Sequence, residues 1–170
     1  MSDERLPLHI DPLRLARAGA QLRGRLPLAE MERFAPLLAD AQGEAEVALD
    51  FDVDAERRTF MRLRLKAEVS LVCQRCLGPV RHVIEVERLL GMVTSETQAE
   101  NLPGIYEPLY VTEEPLFLRE VIEDELILSL PIVPRHNEGE CAPAVTGAGT
   151  DNKAGAAREN PFAVLAGLKH

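Results

Sequence analysis

Apolar and polar residues alternate along the middle of the chain, with charged side chains at many of the polar positions. A period of two is typical of a β-strand that buries one face and exposes the other. Short polar stretches interrupt the alternation, as expected for the turns of a small antiparallel sheet. The strands that this pattern predicts lie near residues 44–54, 60–72 and 80–92.

Helical spacing of apolar residues replaces the alternation on both sides of this sheet. The stretch "PLFLREVIEDELILSL" predicts a helix over 115–130 that covers the apolar face of the sheet. Its acidic residues, among them Glu123 and Glu125, are expected on the solvated side of that helix. Short N-terminal helices are predicted within "HIDPLRLARA", entered through Asp11 with Pro12 at its first position, and within "LPLAEMERFAPLLAD".

Length and composition predict a single α+β domain over residues 1–141. A chain of 170 residues with 46% hydrophobic residues can bury one sizeable core. Residues 142–159 are rich in Ala and Gly, and we predict a disordered linker there because they bury too little apolar surface to offset ordering. Residues 160–170 open with Asn160 and Pro161 and then show apolar helical spacing, which predicts a short docking helix.

The acidic balance of the chain restricts how it could bind nucleic acid. The net charge of −9 disfavours long-range attraction to phosphate. The absence of Trp leaves few side chains on which bases could stack. Positive charge is concentrated in residues 57–82, where seven Arg and Lys stand against one Glu, whereas residues 85–125 hold eleven acids against two Arg. The candidate RNA-contacting residues of the basic stretch are Arg62, Arg64, Lys66 and Arg75.

Pairing across the sheet offers a second interpretation of three of these cations. Arg62, Arg64 and Lys66 project from the polar face of one strand, and the neighbouring strand projects acids to the same face. Cross-strand pairs would then neutralise them within the protein. Arg75 lies in the turn outside that ladder, and it is therefore the stronger RNA candidate.

Two cysteines separated by two residues, Cys73 and Cys76, fall in the turn between the second and third strands. Half a tetrahedral site does not hold zinc, but His136 and Cys141 follow just beyond the predicted long helix. Three thiolates and one imidazole would form a closed zinc site of the structural type. Two alternatives stay open: the cysteines are ordinary core and turn residues, or they form a thiol–disulfide oxidoreductase pair, which requires a low thiol pKa.

Other functional classes find little support in the sequence. It contains no Ser-His-Asp pattern, no glycine-rich phosphate loop and no His-x-x-x-His, so neither an enzyme nor a small-molecule substrate is expected. The start of the chain lacks the basic and apolar regions of a secretory signal, and no stretch approaches the roughly 20 apolar residues of a membrane span. We therefore expect a cytoplasmic protein without a membrane partner.

Three stretches together resemble the bacterial YceD family: "CQRCLGPV", "VIEDELILSLPIVPRH" followed by a cysteine, and "NPFAVLAGLK". The opening "LPLHIDPLRLA" and the later "NLPGIYEPL" are similar as well, so the likeness runs nearly from end to end. The resemblance implies a cytoplasmic, non-enzymatic factor needed for synthesis, processing or stability of large-subunit ribosomal RNA. It also implies a metal site, because Cys73 and Cys76 match the family's Cys-x-x-Cys.

The resemblance extends to the second half of that site and to the partners. His136 and Cys141 fall where relatives carry a second ligand pair, often two cysteines, and zinc accepts His in that place. The implied partner is large-subunit ribosomal RNA or its precursor particles. Contact could be direct, through Arg75 and its neighbours, or could pass through basic ribosomal proteins that dock on the acidic helix.

Overall fold

The computed structural model describes residues 6–141 of the chain. The predicted linker at 142–159 and the predicted docking helix at 160–170 lie outside the described residues. The described part combines a five-stranded sheet, a two-stranded sheet and short helices. This architecture confirms the predicted α+β class.

The elements follow the chain without long irregular connections. The strands are β1 (His9–Ile10), β2 (Gln21–Pro27), β3 (Glu44–Val53), β4 (Thr59–Val72), β5 (Pro79–Val93), β6 (Glu107–Tyr110) and β7 (Leu116–Phe117). The helices are α1 (Pro12–Arg17), α2 (Glu96–Glu100) and α3 (Leu118–Leu128), and two 3-10 turns span Leu28–Glu30 and Ala35–Leu37.

The main sheet has the strand order β2-β3-β4-β5-β6. The first four strands are antiparallel neighbours, of which the alternation predicted β3, β4 and β5, and β6 adds parallel to β5. A parallel neighbour requires a crossover, which residues 94–106 provide with the short helix α2. The sequence reading did not include β2, which pairs with β3 along its whole length.

The apolar rows of the sheet lie on one face and form the core. The buried residues of β3 and β4 are Ala45, Val47, Leu49, Phe51, Met61, Leu63, Leu65, Ala67, Val69 and Leu71. The residues that complete this core come from α1, which contacts β3 and β4, and from α3 and the 3-10 region; Ala16, Leu28, Met31, Phe34, Leu118, Ile122 and Leu126 are fully or almost fully buried. Each large apolar side chain removed from water in this way contributes about 1.5–3 kcal/mol.

The long helix begins later than the sequence predicted, at Leu118 rather than near residue 115. The two residues before it form β7, which pairs with β1, and the Leu118 N–H donates to the carbonyl of Leu8 at 2.9 Å. Backbone partners from the start of the chain therefore take the place of a first helical turn. The helix α1 matches its prediction, with the Arg14 N–H donating to the Asp11 carboxylate at 3.0 Å.

The second predicted N-terminal helix is wrong, since that stretch forms only two 3-10 turns, the second of which contains Pro36. Its backbone is stabilised by a residue far along the chain: the N–H groups of Arg33 and Phe34 donate to one carboxylate oxygen of Glu123 in α3, at 2.8 and 3.1 Å. The expectation that Glu123 and Glu125 are solvated is also wrong, because they are only 3% and 7% exposed. The helix α3 packs against the 3-10 region as well as the sheet, so part of its acidic side is buried.

Candidate metal centre

The turn between β4 and β5 places Cys73 and Cys76 at the tip of the longest hairpin. The Cys73 N–H donates to the Gly78 carbonyl and the Leu77 N–H donates to the Cys73 carbonyl, both at 2.9 Å. Leu77 adopts φ 61°, the left-handed region that glycine occupies more easily. These contacts close the turn and direct both sulfurs to the same side.

The chain beyond α3 returns to this turn and supplies the second half of the cluster. The Gln74 N–H donates to the Pro134 carbonyl at 2.9 Å, which fixes the returning segment beside the turn. His136 Nε2 lies 2.9 Å from the Pro79 carbonyl oxygen. Because a carbonyl only accepts, Nε2 carries the proton and a neutral ring leaves Nδ1 free to act as a ligand.

The structure brings the four predicted ligands Cys73, Cys76, His136 and Cys141 together. Their ligand atoms all lie within 4.8 Å of one another. Cys73 Sγ is 3.8 Å from Cys141 Sγ, and His136 Nδ1 is 3.5 Å from Cys76 Sγ and 3.7 Å from Cys141 Sγ. This grouping of three sulfurs and one imidazole nitrogen can hold a metal ion.

Backbone amides in the turn favour the thiolate form of one cysteine. Hydrogen bonds from the backbone of Cys76, and then of Arg75, lower the pKa of Cys73 to about 5 although burial opposes the shift. At Cys76 a backbone hydrogen bond from Gly78 lowers the pKa, but burial and the neighbouring thiols outweigh it, so the pKa is raised. Hydrogen bonds that the protonated ring of His136 can donate to the sulfurs of Cys73 and Cys141 raise the pKa of His136.

Arg75 lies outside the strand ladder, and its side chain is directed at the cluster. Its Nε donates to Cys141 Sγ at 3.0 Å, and Nη2 donates to the Asn137 carbonyl at 3.4 Å. The contact with Cys141 raises the pKa of the guanidinium. No local sequence pattern signals this contact, because it depends on the return of a segment more than sixty residues downstream.

The other candidate cations lie on the polar face of β4, and each has an acidic partner. Arg62 pairs with Glu87 at 3.7 Å and Lys66 pairs with Glu85 at 2.8 Å. Arg64 pairs with Asp50. Two of these partners come from β5, whereas the sequence interpretation looked only to β3. The alternation "VIEVE" on β5 carried the signal that could have found them.

The described residues therefore define a class: an α+β protein in which a thiol–imidazole cluster fastens a β-turn to the chain that follows the main helix. No helix in residues 6–141 is long and apolar enough to cross a membrane.

Comparison of the sequence with known proteins identifies the family to which the chain belongs. Residues 61–169 match the family described as "Large ribosomal RNA subunit accumulation protein YceD". A protein of that name from Haemophilus influenzae (strain ATCC 51907 / DSM 11121 / KW20 / Rd) is 36% identical over 172 residues, which cover 99% of each chain. The chain belongs to the YceD family, which confirms the resemblance drawn from the sequence. No solved structure matches it significantly.

Proposed function

We propose that this protein is a non-enzymatic cytoplasmic factor that supports the accumulation of large-subunit ribosomal RNA, and that a structural zinc ion stabilises its fold. The observation that carries the zinc proposal is the clustering of Cys73, Cys76, His136 and Cys141 within 4.8 Å. The ribosomal part rests on membership in a family whose description names that role.

The distances within the cluster support a tetrahedral ion. Zinc binds sulfur at about 2.3 Å and imidazole nitrogen at about 2.0–2.1 Å, so a regular tetrahedron has S···S edges of about 3.8 Å and S···N edges of about 3.5 Å. Three of the six separations match these edges: Cys73 Sγ lies 3.8 Å from Cys141 Sγ, and His136 Nδ1 lies 3.5 Å from Cys76 Sγ and 3.7 Å from Cys141 Sγ. Three thiolates around Zn²⁺ leave one negative charge, which the guanidinium of Arg75 offsets.

A thiol–disulfide oxidoreductase has less support from the same geometry. Cys73 has the lowered pKa that a reactive thiol needs, but its exposed fraction is 0%. Cys76 is partly exposed, but its pKa is raised. Neither Cys73 nor Cys76 combines a lowered pKa with open access, which attack on a substrate disulfide requires.

Contact with RNA is proposed through the turn and the adjoining polar face. The contacting residues would be Arg75, Arg62, Arg64 and Lys66. Since each has an acidic or thiol partner in the free protein, binding exchanges an internal contact for a phosphate and releases counterions from the RNA. The affinity should therefore fall steeply with added salt and remain modest.

The first test is the metal content of the protein purified without a chelator. We expect about one zinc per wild-type chain by elemental analysis, and less than one in Cys141→Ser. Arg81→Ala is a matched control, because Arg81 lies near the same end of the hairpin and pairs with Glu68 away from the sulfurs. Wild-type protein without stoichiometric metal would refute the zinc proposal.

The second test addresses the ribosomal role. In cells that lack the endogenous gene, the wild-type chain should restore the ratio of large- to small-subunit ribosomal RNA, and Cys141→Ser should restore it poorly. The protein should also crosslink to large-subunit precursor particles. A normal RNA ratio in the absence of the gene would count against the role, whatever the metal content.

A further inference from the structure

A groove of about 530 Å³ lies between α3 and β6, and none of the residues of the thiol–imidazole cluster lines it. In residues 6–141 the strand β6 forms one edge of the main sheet, with no strand paired on its outer side. The apolar residues that line the groove include Leu90, Leu109, Val121, Ile127 and Leu128. Leu128 is 74% exposed, which is a large exposed fraction for an apolar side chain beside a groove.

Glu125 lines this groove and is buried without adequate compensation. It is only 7% exposed, and its Oε2 atom has no hydrogen-bond partner among the described residues. The Nε atom of Arg88 lies 3.4 Å from Oε2, but Arg88 is shared with Glu107, whose Oε1 atom is at 3.3 Å. Burial, followed by the nearby charge of Glu107, raises the pKa of Glu125. A buried carboxylate oxygen of this kind is costly unless a donor reaches it.

The other charges of the groove leave one negative charge without a counterpart. Three carboxylates line it or its rim, and two guanidinium groups accompany them. Asp124 is paired with Arg33, and Arg88 serves both Glu107 and Glu125. One cationic group from outside would balance the set and supply the donor that Glu125 lacks.

We propose that this groove docks an extended basic segment of a partner protein, with a lysine ammonium group at Glu125 and flanking apolar side chains against Leu109 and Leu128. An edge strand offers a partner main-chain hydrogen bonds, while alternate side chains of the partner reach one face. A compact ammonium group suits a site in which a guanidinium already lies beside the carboxylate. The proposal depends on neither the zinc ion nor the RNA role.

The occupant follows from the chemistry of the lining. A bare divalent cation would exceed the single unbalanced negative charge of the groove and leave excess positive charge beside Arg88, whereas one ammonium group balances it. The excess of carboxylates disfavours the phosphates of RNA. The apolar lining exceeds what a small hydrated amine can use, whereas a peptide can cover it.

The experiment is an NMR titration of the full-length protein with two probe peptides. One is acetyl-Leu-Ser-Lys-Ser-Leu-amide, which places its three long side chains on one face when extended, and the other has norleucine in place of Lys. We expect shifts at residues 107–109 and 121–128, and binding of the norleucine peptide weaker by about tenfold or more, since a charged hydrogen bond is lost.

Variants separate a specific site from general acidity. Glu125→Gln should weaken the lysine peptide by about tenfold and leave the norleucine peptide unchanged. Glu120→Gln is the matched control, because Glu120 is an exposed carboxylate of α3 outside the groove, and it should have no such effect. Glu125→Asp serves as a second variant if the amide spectrum of Glu125→Gln shows misfolding, and it should also weaken the lysine peptide.

Several outcomes would overturn the proposal. The proposed lysine site at Glu125 would be refuted by any of three results. These are equal binding of the two peptides, equal losses of affinity in Glu125→Gln and Glu120→Gln, or chemical-shift changes only outside the groove. A tenfold gain in affinity after deletion of residues 160–170 would assign the groove to the end of the chain itself. Displacement of the lysine peptide by an oligouridylate, with shifts in the same residues, would assign the groove to RNA.

Discussion

The two turns at the ends of β4 share an unusual backbone conformation but are stabilised by different contacts. Each contains a non-glycine residue in the left-handed region, Arg57 at φ 66° and Leu77 at φ 61°. In the turn before β4, the carboxylate of Asp54 accepts from the N–H groups of Glu56 and Arg58 at 3.0 and 2.8 Å. In the turn after β4, the sulfur of Cys73 faces ligands that arrive from beyond α3.

The difference lies in the distance along the chain that each turn depends on. The backbone N–H groups of the Asp54 turn are satisfied within four residues, although the Tyr106 hydroxyl also donates to Asp54 Oδ2 at 3.2 Å. The cysteine turn is completed only when residues 134–141 return to it, which requires α3 to be in place. The first turn is a local structure, whereas the second depends on the tertiary fold.

The largest expected effect is that of Cys141→Ser, which removes one of the proposed zinc ligands. Because binding at a closed zinc site is coupled to folding, we expect the free energy of unfolding to fall by at least about 3 kcal/mol. Urea denaturation measures this loss, and hydrogen exchange should accelerate at residues 72–79 but not at 52–60. A chelator should reproduce the pattern in the wild type. Uniform acceleration at both turns would contradict the contrast between them.

The next effect belongs to the local turn. Asp54→Ala removes the acceptor of two backbone N–H groups, and we expect a loss of about 1–2 kcal/mol with an unchanged metal content. Thermal unfolding and elemental analysis provide the two readouts. Glu56→Ala is the control, since Glu56 lies in the same turn but its carboxylate accepts no backbone N–H in the described residues. Loss of metal in Asp54→Ala would show that the turns are not independent.

A smaller effect tests the strain that the two turns share. Arg57→Gly and Leu77→Gly should each stabilise the metal-loaded protein by about 0.5–1 kcal/mol, because glycine adopts a positive φ without a steric penalty. After chelation only Arg57→Gly should keep its gain, because its turn does not need the metal. Melting temperatures with and without chelator measure this. Gains that persist equally in both variants would argue against the distinction.

The smallest effect concerns the polar face between the turns. Burial raises the pKa of Asp50, but hydrogen bonds and charge from Arg23 and Arg64 outweigh it, and the pKa is lowered. A lowered folded-state pKa gives stability that is present above the ordinary value of 3.8 and is lost as the pH falls through the folded value. Asp50→Asn should cost about 0.5 kcal/mol at pH 7 and remove this pH dependence.

Denaturation at pH 7 and near pH 3 tests this prediction. The difference between wild type and Asp50→Asn should shrink at the lower pH. Metal content and the exchange rates at both turns should stay unchanged, because Asp50 contacts neither turn. A difference that grows in acid would contradict the assigned direction of the pKa shift.

Much of the fold was accessible from the sequence because its signals are local. Alternation placed β3, β4 and β5, and helical spacing with Asp11 and Pro12 placed α1. The strand β2 and the 3-10 turns were not found, since each is fixed by partners elsewhere, including the carboxylate of Glu123. The parallel addition of β6 likewise depends on a crossover that no local pattern encodes.

For the site, the sequence provided the types of residue but not their neighbours. Three cysteines and His136 were identified as a complete ligand set, and the fold places their ligand atoms within 4.8 Å. The position of Arg75 over Cys141 and the burial of Glu125 were missed. Both depend on which surfaces of α3 and of the segment after it face the sheet.

The sequence by itself determined the α+β class, the buried rows of the central strands and the chemistry of the candidate ligands, because side-chain periodicity and donor type are properties of short segments. Only the tertiary structure decided that Cys73 meets Cys141, that Arg75 turns toward sulfur, and that Glu125 is enclosed. Contacts between distant segments are set by packing of the whole core, and no short stretch of the chain carries that information.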